Sequence, residues 1–419
     1  MLRSLFAGVS GMRTHQLNMD VIADNIANVN TTGFKAGRMT FKEVYSQLLR
    51  AARGPMGDLG GVNPLQVGLG VTMGSIDTLF TQGAPQATGR DLDLCIDGNG
   101  FFVLTDGQNR YFTRAGIFSI DSEGNLVYTN GMKVMGWNGD PVTGTLDINR
   151  PAEPITIQQR WIPGQATTQI DLTGNLDSRL ALGERVVRTV DIYDGLGNVH
   201  SLSLTFTRSS VANNQWQLTG ASIPGGTVIV TTPPPSSPPT PTIPTISFGS
   251  DGVPDPPIPA TLLVVTYPGA GSFNVTLNLG SLTSLADTTN VEVAFRDGYK
   301  RGDLVRVTVD DLGVIKGVYS NDLIRDLGQI ALAMFPNPEG LVKQSDTLFI
   351  RSGNSGPETI DRPGSGNRGR LVPGFLEMSN VDLSQEFTNL ILAQRGFQAN
   401  SRVITTSDEM LQELMTLKR

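Results

Sequence analysis

The 419 residues carry 39 acidic against 32 basic side chains, a net charge of −7; this excludes the basic stripe of a nucleic-acid surface, and no local Lys/Arg cluster offsets it. One cysteine excludes an intramolecular disulfide framework, two histidines leave no material for a His-rich metal site or a His-based triad, and no apolar run approaches the ~18 residues of a membrane span. The length suits two or three domains, and 48 glycines with 6% aromatics suit a turn-rich β protein.

At the N-terminus Leu2, Leu5, Val9, Met12, Gln16, Met19, Ala23 and Ile26 recur at alternating steps of three and four, one stripe of a helix. Asn28, Asn30 and Gly33 stop it. Leu2 to Val9 is short for a secretory signal and runs into Arg13, His15 and Asp20 within the same pattern, with no small-residue cleavage site. Export, if it occurs, is expected to leave this end uncleaved. Residues 35–70 read as a connector: a short amphipathic piece, Phe41 to Leu49, then a Gly-rich stretch around Pro55 and Pro64.

From 71 to 143 short alternating runs are separated by turn signals, Asp106-Gly107, Ser122-Glu123-Gly124-Asn125 and Asn130-Gly131, as hairpins require. Cys95 sits in one such run and reads as a structural thiol. Residues 144–289 form a second, inserted β domain with a hairpin at Val187–Tyr193, Asp194–Asn198 and Ser201–Thr207. Eleven of the 25 prolines fall within 233–259, so this piece is expected to be a semi-rigid extended loop outside any central sheet. A third block, 290–362, alternates again around the turn Asp310–Gly313 and is assigned with 71–143 to one discontinuous β domain. Residues 363–374 form a second Gly-rich connector, and both connectors are candidate hinges or plain surface linkers.

At the C-terminus Leu383, Phe387, Leu390, Gln394, Phe397, Ser401, Ile404, Leu411 and Met415 repeat the helical stripe, with Ser379 or Asn380 as the candidate cap. A narrow seam belongs to a helix that packs mainly on another helix. Pairing of the two termini is the favoured reading; two amphipathic helices lying on a sheet is the alternative, kept open by Gln16, Gln394 and Ser401. The fold class is therefore multidomain and mainly β, with paired N- and C-terminal α-helices forming a coiled coil and outer β domains inserted between the termini.

Little chemistry is encoded between them. Ile96 to Gly100 has no Walker lysine, and Asp121–Asn125 and Asp194–Asn198 lack the ligand ladder and terminal Glu of a calcium loop. Arg301-Gly302-Asp303 is an adhesion-type tripeptide at the frequency chance allows. No catalytic, metal or cofactor site is expected, and no enzyme.

Leu17 to Lys35, LNMDVIADNIANVNTTGFK, resembles the N-terminal signature of the flagellar rod and hook axial family, and Ser379 to Gln398, SNVDLSQEFTNLILAQRGFQ, resembles its C-terminal counterpart. Within that family Gly298–Leu304, Tyr319-Ser320-Asn321 and Leu327–Ile330 are similar to segments of hook subunits. The distal rod subunit is the runner-up, with a hook-associated surface or adhesion protein behind it. The resemblance implies a helical homopolymer, a curved tube outside the cell that transmits motor torque to the filament as a universal joint. The terminal helices (1–34 and 375–419) would line its inner wall. It also implies distal rod, hook cap and hook-filament junction proteins as partners, and type III export without a cleaved signal. Phe41 to Tyr45, with Phe41 and Tyr45 as the aromatic positions, looks like a short motif proposed for docking at the export gate. The assembly seam expected on this basis is Leu2, Leu5, Val9, Met12, Met19, Ile26, Leu383, Phe387, Leu390, Phe397, Ile404 and Leu411.

Overall fold

Among the described residues the two termini supply the only α-helices, α1 (Leu2–Ala27) and α2 (Leu383–Thr416), and strands and turns fill almost everything between. The computed structural model describes residues 2–55, 60–140, 144–157, 160–210, 214–231, 244–258, 260–268 and 271–416. The chain divides into two compact units, one of Met1–Gln158, Val307–Gly317 and Arg325–Arg419, the other of Gln159–Arg306 and Val318–Ile324.

The second unit is a two-sheet β structure. One sheet orders its strands 227–231, 261–267, 271–283, 169–175 and 292–296; the other runs 185–193, 199–210, 215–222 and 245–247. The expected hairpin is present in register, Arg185 opposite Thr207 through Tyr193 opposite Val199. Strict alternation buries His200, Leu202, Leu204, Phe206 and Arg208, and Leu202, Leu204 and Phe206 meet Trp216, Leu218, Leu263, Val275 and Leu277 in one apolar core. At about 1.5–3 kcal/mol per fully buried large apolar side chain, this core is the unit's main source of stabilisation. Part of the Pro-rich stretch does join a sheet: Thr245–Ser247 pairs with Gln215–Gln217 as an edge strand, the position proline-flanked segments can occupy. Residues 232–243 and Pro259 lie outside the described residues.

The body of the first unit centres on strand Phe101–Thr105, which pairs with 110–113, 133–138 and 332–334. Its core is aromatic: Phe101, Phe112, Phe335 and Phe349 pack edge to face with ring centroids 4.7–6.0 Å apart. The Asp-Gly and Asn-Gly turns close hairpins as expected; Gly131, at φ 85, shows why glycine is needed there. Residues 144–157, expected in the inserted domain, pair with this unit instead: Met135 faces Pro154, and Leu126 N–H donates to Ile155 O. The two connectors also differ from expectation. Phe41 to Leu49 falls in two strand pairings: Gly37–Glu43 pairs with Val71–Thr78, and Ser46–Arg50 with Leu65–Gly68. Arg370–Pro373 pairs with Leu94–Asp97, so the end of the second connector is strand.

Candidate assembly surface

α1 and α2 lie against each other along a line of small and polar residues. A Cβ at Gly11 would lie 2.5 Å from Asn400 Oδ1, and one at Gly396 2.5 Å from the His15 ring. Each glycine thus receives a polar side chain from the opposite helix, and the backbones approach more closely than larger residues permit. Ser4 and Ser407 hydroxyls complete the line at 3.4 Å. The buried positions Gly8, Gly11, Ile22 and Asn25 on α1, and Ala393 and Ser407 on α2, follow the same three-four rhythm as the expected stripe, displaced around the helix.

The termini therefore meet as expected; the closest approaches fall at Gly8, Gly11 and Gly396, and Ile404 of the expected stripe lies 3.2 Å from where a Cβ at Gly8 would be. Leu5, Val9, Met12, Met19 and Ile26 are half-buried, as are Leu390, Phe397, Ile404 and Leu411, while Leu383 and Phe387 are exposed at 40% and 49%. The Leu2 side chain lies outside the described residues. An apolar stripe alone does not mark the closest approaches, because the small or polar residues Gly8, Gly11, Gly396 and Asn400 set them. Gly8-x-x-Gly11 and Ala393-x-x-Gly396 were the available signal. Phe6, Leu17, Ile391, Leu392, Val403, Met410 and Met415 add to the uncovered apolar surface.

The α1–β junction is fixed by polar side chains. Asn25 donates through Nδ2 to Gly37 O and accepts from Gly37 N–H, both at 2.8 Å. The cap of α2 is Asp382, not Ser379 or Asn380: its carboxylate accepts from the N–H groups of Ser384 and Gln385. Asn380 instead accepts from Ala36 N–H and donates to Leu79 O and Thr81 Oγ1. Phe41 stacks at 5.3 Å on His15, whose Nδ1 is buried without a partner, and Tyr45 is 76% exposed.

Beneath the helices lies a buried ionic cluster that sequence reasoning missed. The Glu377 carboxylate accepts from Lys35 Nζ at 2.5 Å, Gly83 N–H at 2.9 Å and Arg114 Nη1 at 3.4 Å. Burial pushes the Lys35 and Arg114 pKa values down against the opposing pull of Glu377. Burial, then Glu377, raises the neighbouring Cys95 thiol to about 11, which keeps it protonated and inert. Among the described residues no group of His, Cys, Asp and Glu could hold a metal, and no helix is long and apolar enough to cross a membrane.

The chain is thus a β body carried between two terminal helices that pair by small residues and keep apolar side chains exposed, the layout of an axial subunit. Family profiles agree along the chain: "Flagella basal body rod protein" matches residues 5–35, "Flagellar hook protein FlgE/F/G D1 domain" 95–176, "Flagellar basal body protein FlaE D2 domain" 181–299 and "Flagellar basal body rod FlgEFG protein C-terminal" 372–417. The flagellar hook protein FlgE of Treponema pallidum is 42% identical over 476 aligned positions covering all of both chains. The flagellar basal-body rod protein FlgG of Bacillus subtilis is 31% identical over 420 positions, again covering both chains fully. The crystal structure of Helicobacter pylori flagellar hook protein FlgE2 shares the fold at 14% identity with a TM-score of 0.50, covering 70% of this chain and all of that one. The chain belongs to the flagellar hook protein FlgE family.

Proposed function

We propose that the chain is the structural subunit of the bacterial flagellar hook, polymerising into a curved tube that passes motor torque to the filament. The observation that carries this reading is the division of labour on the terminal helices: the intrachain contact uses Gly8, Gly11, Gly396 and Asn400, while the apolar flank including Phe387, Ile391 and Leu392 stays uncovered. Neighbouring copies would bury that flank along an inner tube, so assembly and full ordering of the helices are coupled. The expected seam residues Leu5, Val9, Met12, Met19, Ile26, Leu390, Phe397, Ile404 and Leu411, half-buried in the single chain, would be covered in the same step. The inserted β unit would form the outer layer, where contacts between copies slide as the tube bends.

Its partners on this reading are other copies, the distal rod, hook cap and hook-filament junction proteins, and the type III export apparatus, which would pass the chain uncleaved through the growing tube. Phe41 and Tyr45 stand exposed enough to serve the export gate as an extended segment. Induced polymerisation followed by negative-stain microscopy tests the reading. Wild-type protein should give curved tubes and Phe387→Asp none, with unchanged monomer melting because Phe387 is half exposed in the free chain; normal tubes from Phe387→Asp would sink the assignment of the flank. A rod subunit is the second reading, favoured by the end-to-end match to a rod protein. Straight, short polymers would select it.

A further inference from the structure

We propose that Glu377 is the anchor that fixes where both terminal helices leave the β body, a positioning residue for assembly. It is the last residue of strand Phe375–Glu377, shortly before the Asp382 cap of α2, and its side chain is fully buried. Three segments converge on it, four with its own strand. Lys35, just past α1, donates to Oε1 and also to Thr81 O at 2.8 Å. Gly83 N–H donates to the same oxygen at 2.9 Å, Arg114 of the β core donates to Oε2 at 3.4 Å, and Gly33 N–H donates to the Glu377 carbonyl at 2.7 Å. One residue thus ties the exit of α1, the entry of α2 and the central sheet to a common point.

The chemistry argues for geometry over stability. Two buried cations share one buried carboxylate, and Arg114 Nε has no partner. Burying ions is costly, and well-packed apolar residues of similar volume commonly stabilise a fold as much or more. What an ionic cluster supplies is direction: its hydrogen bonds are satisfied in one arrangement of the four segments, whereas apolar side chains tolerate several. A helix pair held at the wrong angle would present its uncovered flank out of register with the next copy, an error repeated at every subunit. Asn380, bonded to Ala36, Leu79 and Thr81, braces the same junction from the α2 side.

The test compares two full-length variants. Replacing the cluster by apolar residues, Lys35→Met/Arg114→Met/Glu377→Leu, should leave melting at or above the wild-type value yet slow tube elongation from preformed seeds at least tenfold. A triple variant that folds and elongates at the wild-type rate overturns the proposal. Should that variant fail to fold, Glu377→Gln decides by native-state hydrogen exchange: protection should fall tenfold or more at 25–37 and 378–386 while amides of strand 101–105 keep theirs. Protection unchanged, or lost evenly across the unit, overturns it. The elongation arm rests on the hook reading, whereas the exchange arm does not, so failure of one reading is distinguishable from failure of the other.

Discussion

The inserted β unit and the terminal helix pair solve the problem of burial in opposite ways. The β unit closes around its own side chains: Phe206 and Trp216 are inaccessible to solvent in the single chain. The helix pair brings Gly11 and Gly396 to its contact line and leaves Phe387, Ile391 and Leu392 in water. A glycine contact removes little apolar area, and area is what drives association, so contact at these glycines contributes little and, on the proposed reading, a neighbouring copy would contribute more. The lesson is that autonomy follows from where the large apolar side chains point, not from how many there are. Both regions have them; the β unit packs a large set of them together, whereas on the helices Phe387, Ile391 and Leu392 stay exposed.

The largest effect should come from breaking the self-sufficient half. Phe206→Ala opens a cavity in a fully packed core and is expected to cost about 3–5 kcal/mol, seen as early loss of the Trp216 emission signature on denaturation. The helical far-UV signal should be retained through that first transition. Simultaneous loss of both signals would mean that the helices depend on the inserted unit and would end the comparison as drawn.

That contrast was partly legible before any coordinates. Alternation along 199–210 and the Asp194–Asn198 turn announce the hairpin, because a period of two and a carboxylate-led turn are local properties of a strand pair. The three-four apolar rhythm announces both helices for the same reason. The contact line was not legible, since Gly8, Gly11, Gly396 and Asn400 matter by being small or polar and only the partner helix gives them meaning. The Glu377 cluster was further out of reach: Lys35 and Glu377 meet across a separation of 342 residues, and each alone reads as an ordinary surface charge. Residues 144–157 join the first unit through short pairings such as Met135 with Pro154, too brief to leave a periodic signal.

Acid should act on the self-sufficient half through Asp194. Burial alone would raise its carboxyl, but hydrogen bonds from His200, the Asn198 side chain and the N–H groups of Asn198 and Leu196 outweigh this and bring it from the ordinary 3.8 down to about 2. A depressed carboxyl stabilises the fold above its unfolded pKa, and that contribution, roughly 2 kcal/mol, disappears as pH falls from about 4 through 2. Asp194→Asn should therefore lower the melting temperature of the β unit at neutral pH and flatten its acid dependence over that window. An equally steep acid slope in the variant would place the titrating group elsewhere.

The smallest change belongs at the start of α2, where it probes the dependent half. Asp382 accepts from the N–H groups of Ser384 and Gln385 and places a negative charge at the positive end of the helix dipole. Asp382→Ala should cost about 1 kcal/mol of local helix stability, a minor loss against a closed β core but a large one for a pair held by glycines. The expected pattern is faster amide exchange over 383–390 in the free chain, no change in strands 199–210 or 215–222, and recovery of protection once tubes have formed and neighbours cover the helix. If exchange in the free chain stays as slow as in the wild type, α2 is already held firmly by its own chain, and the difference between the two regions is one of composition without a difference in autonomy.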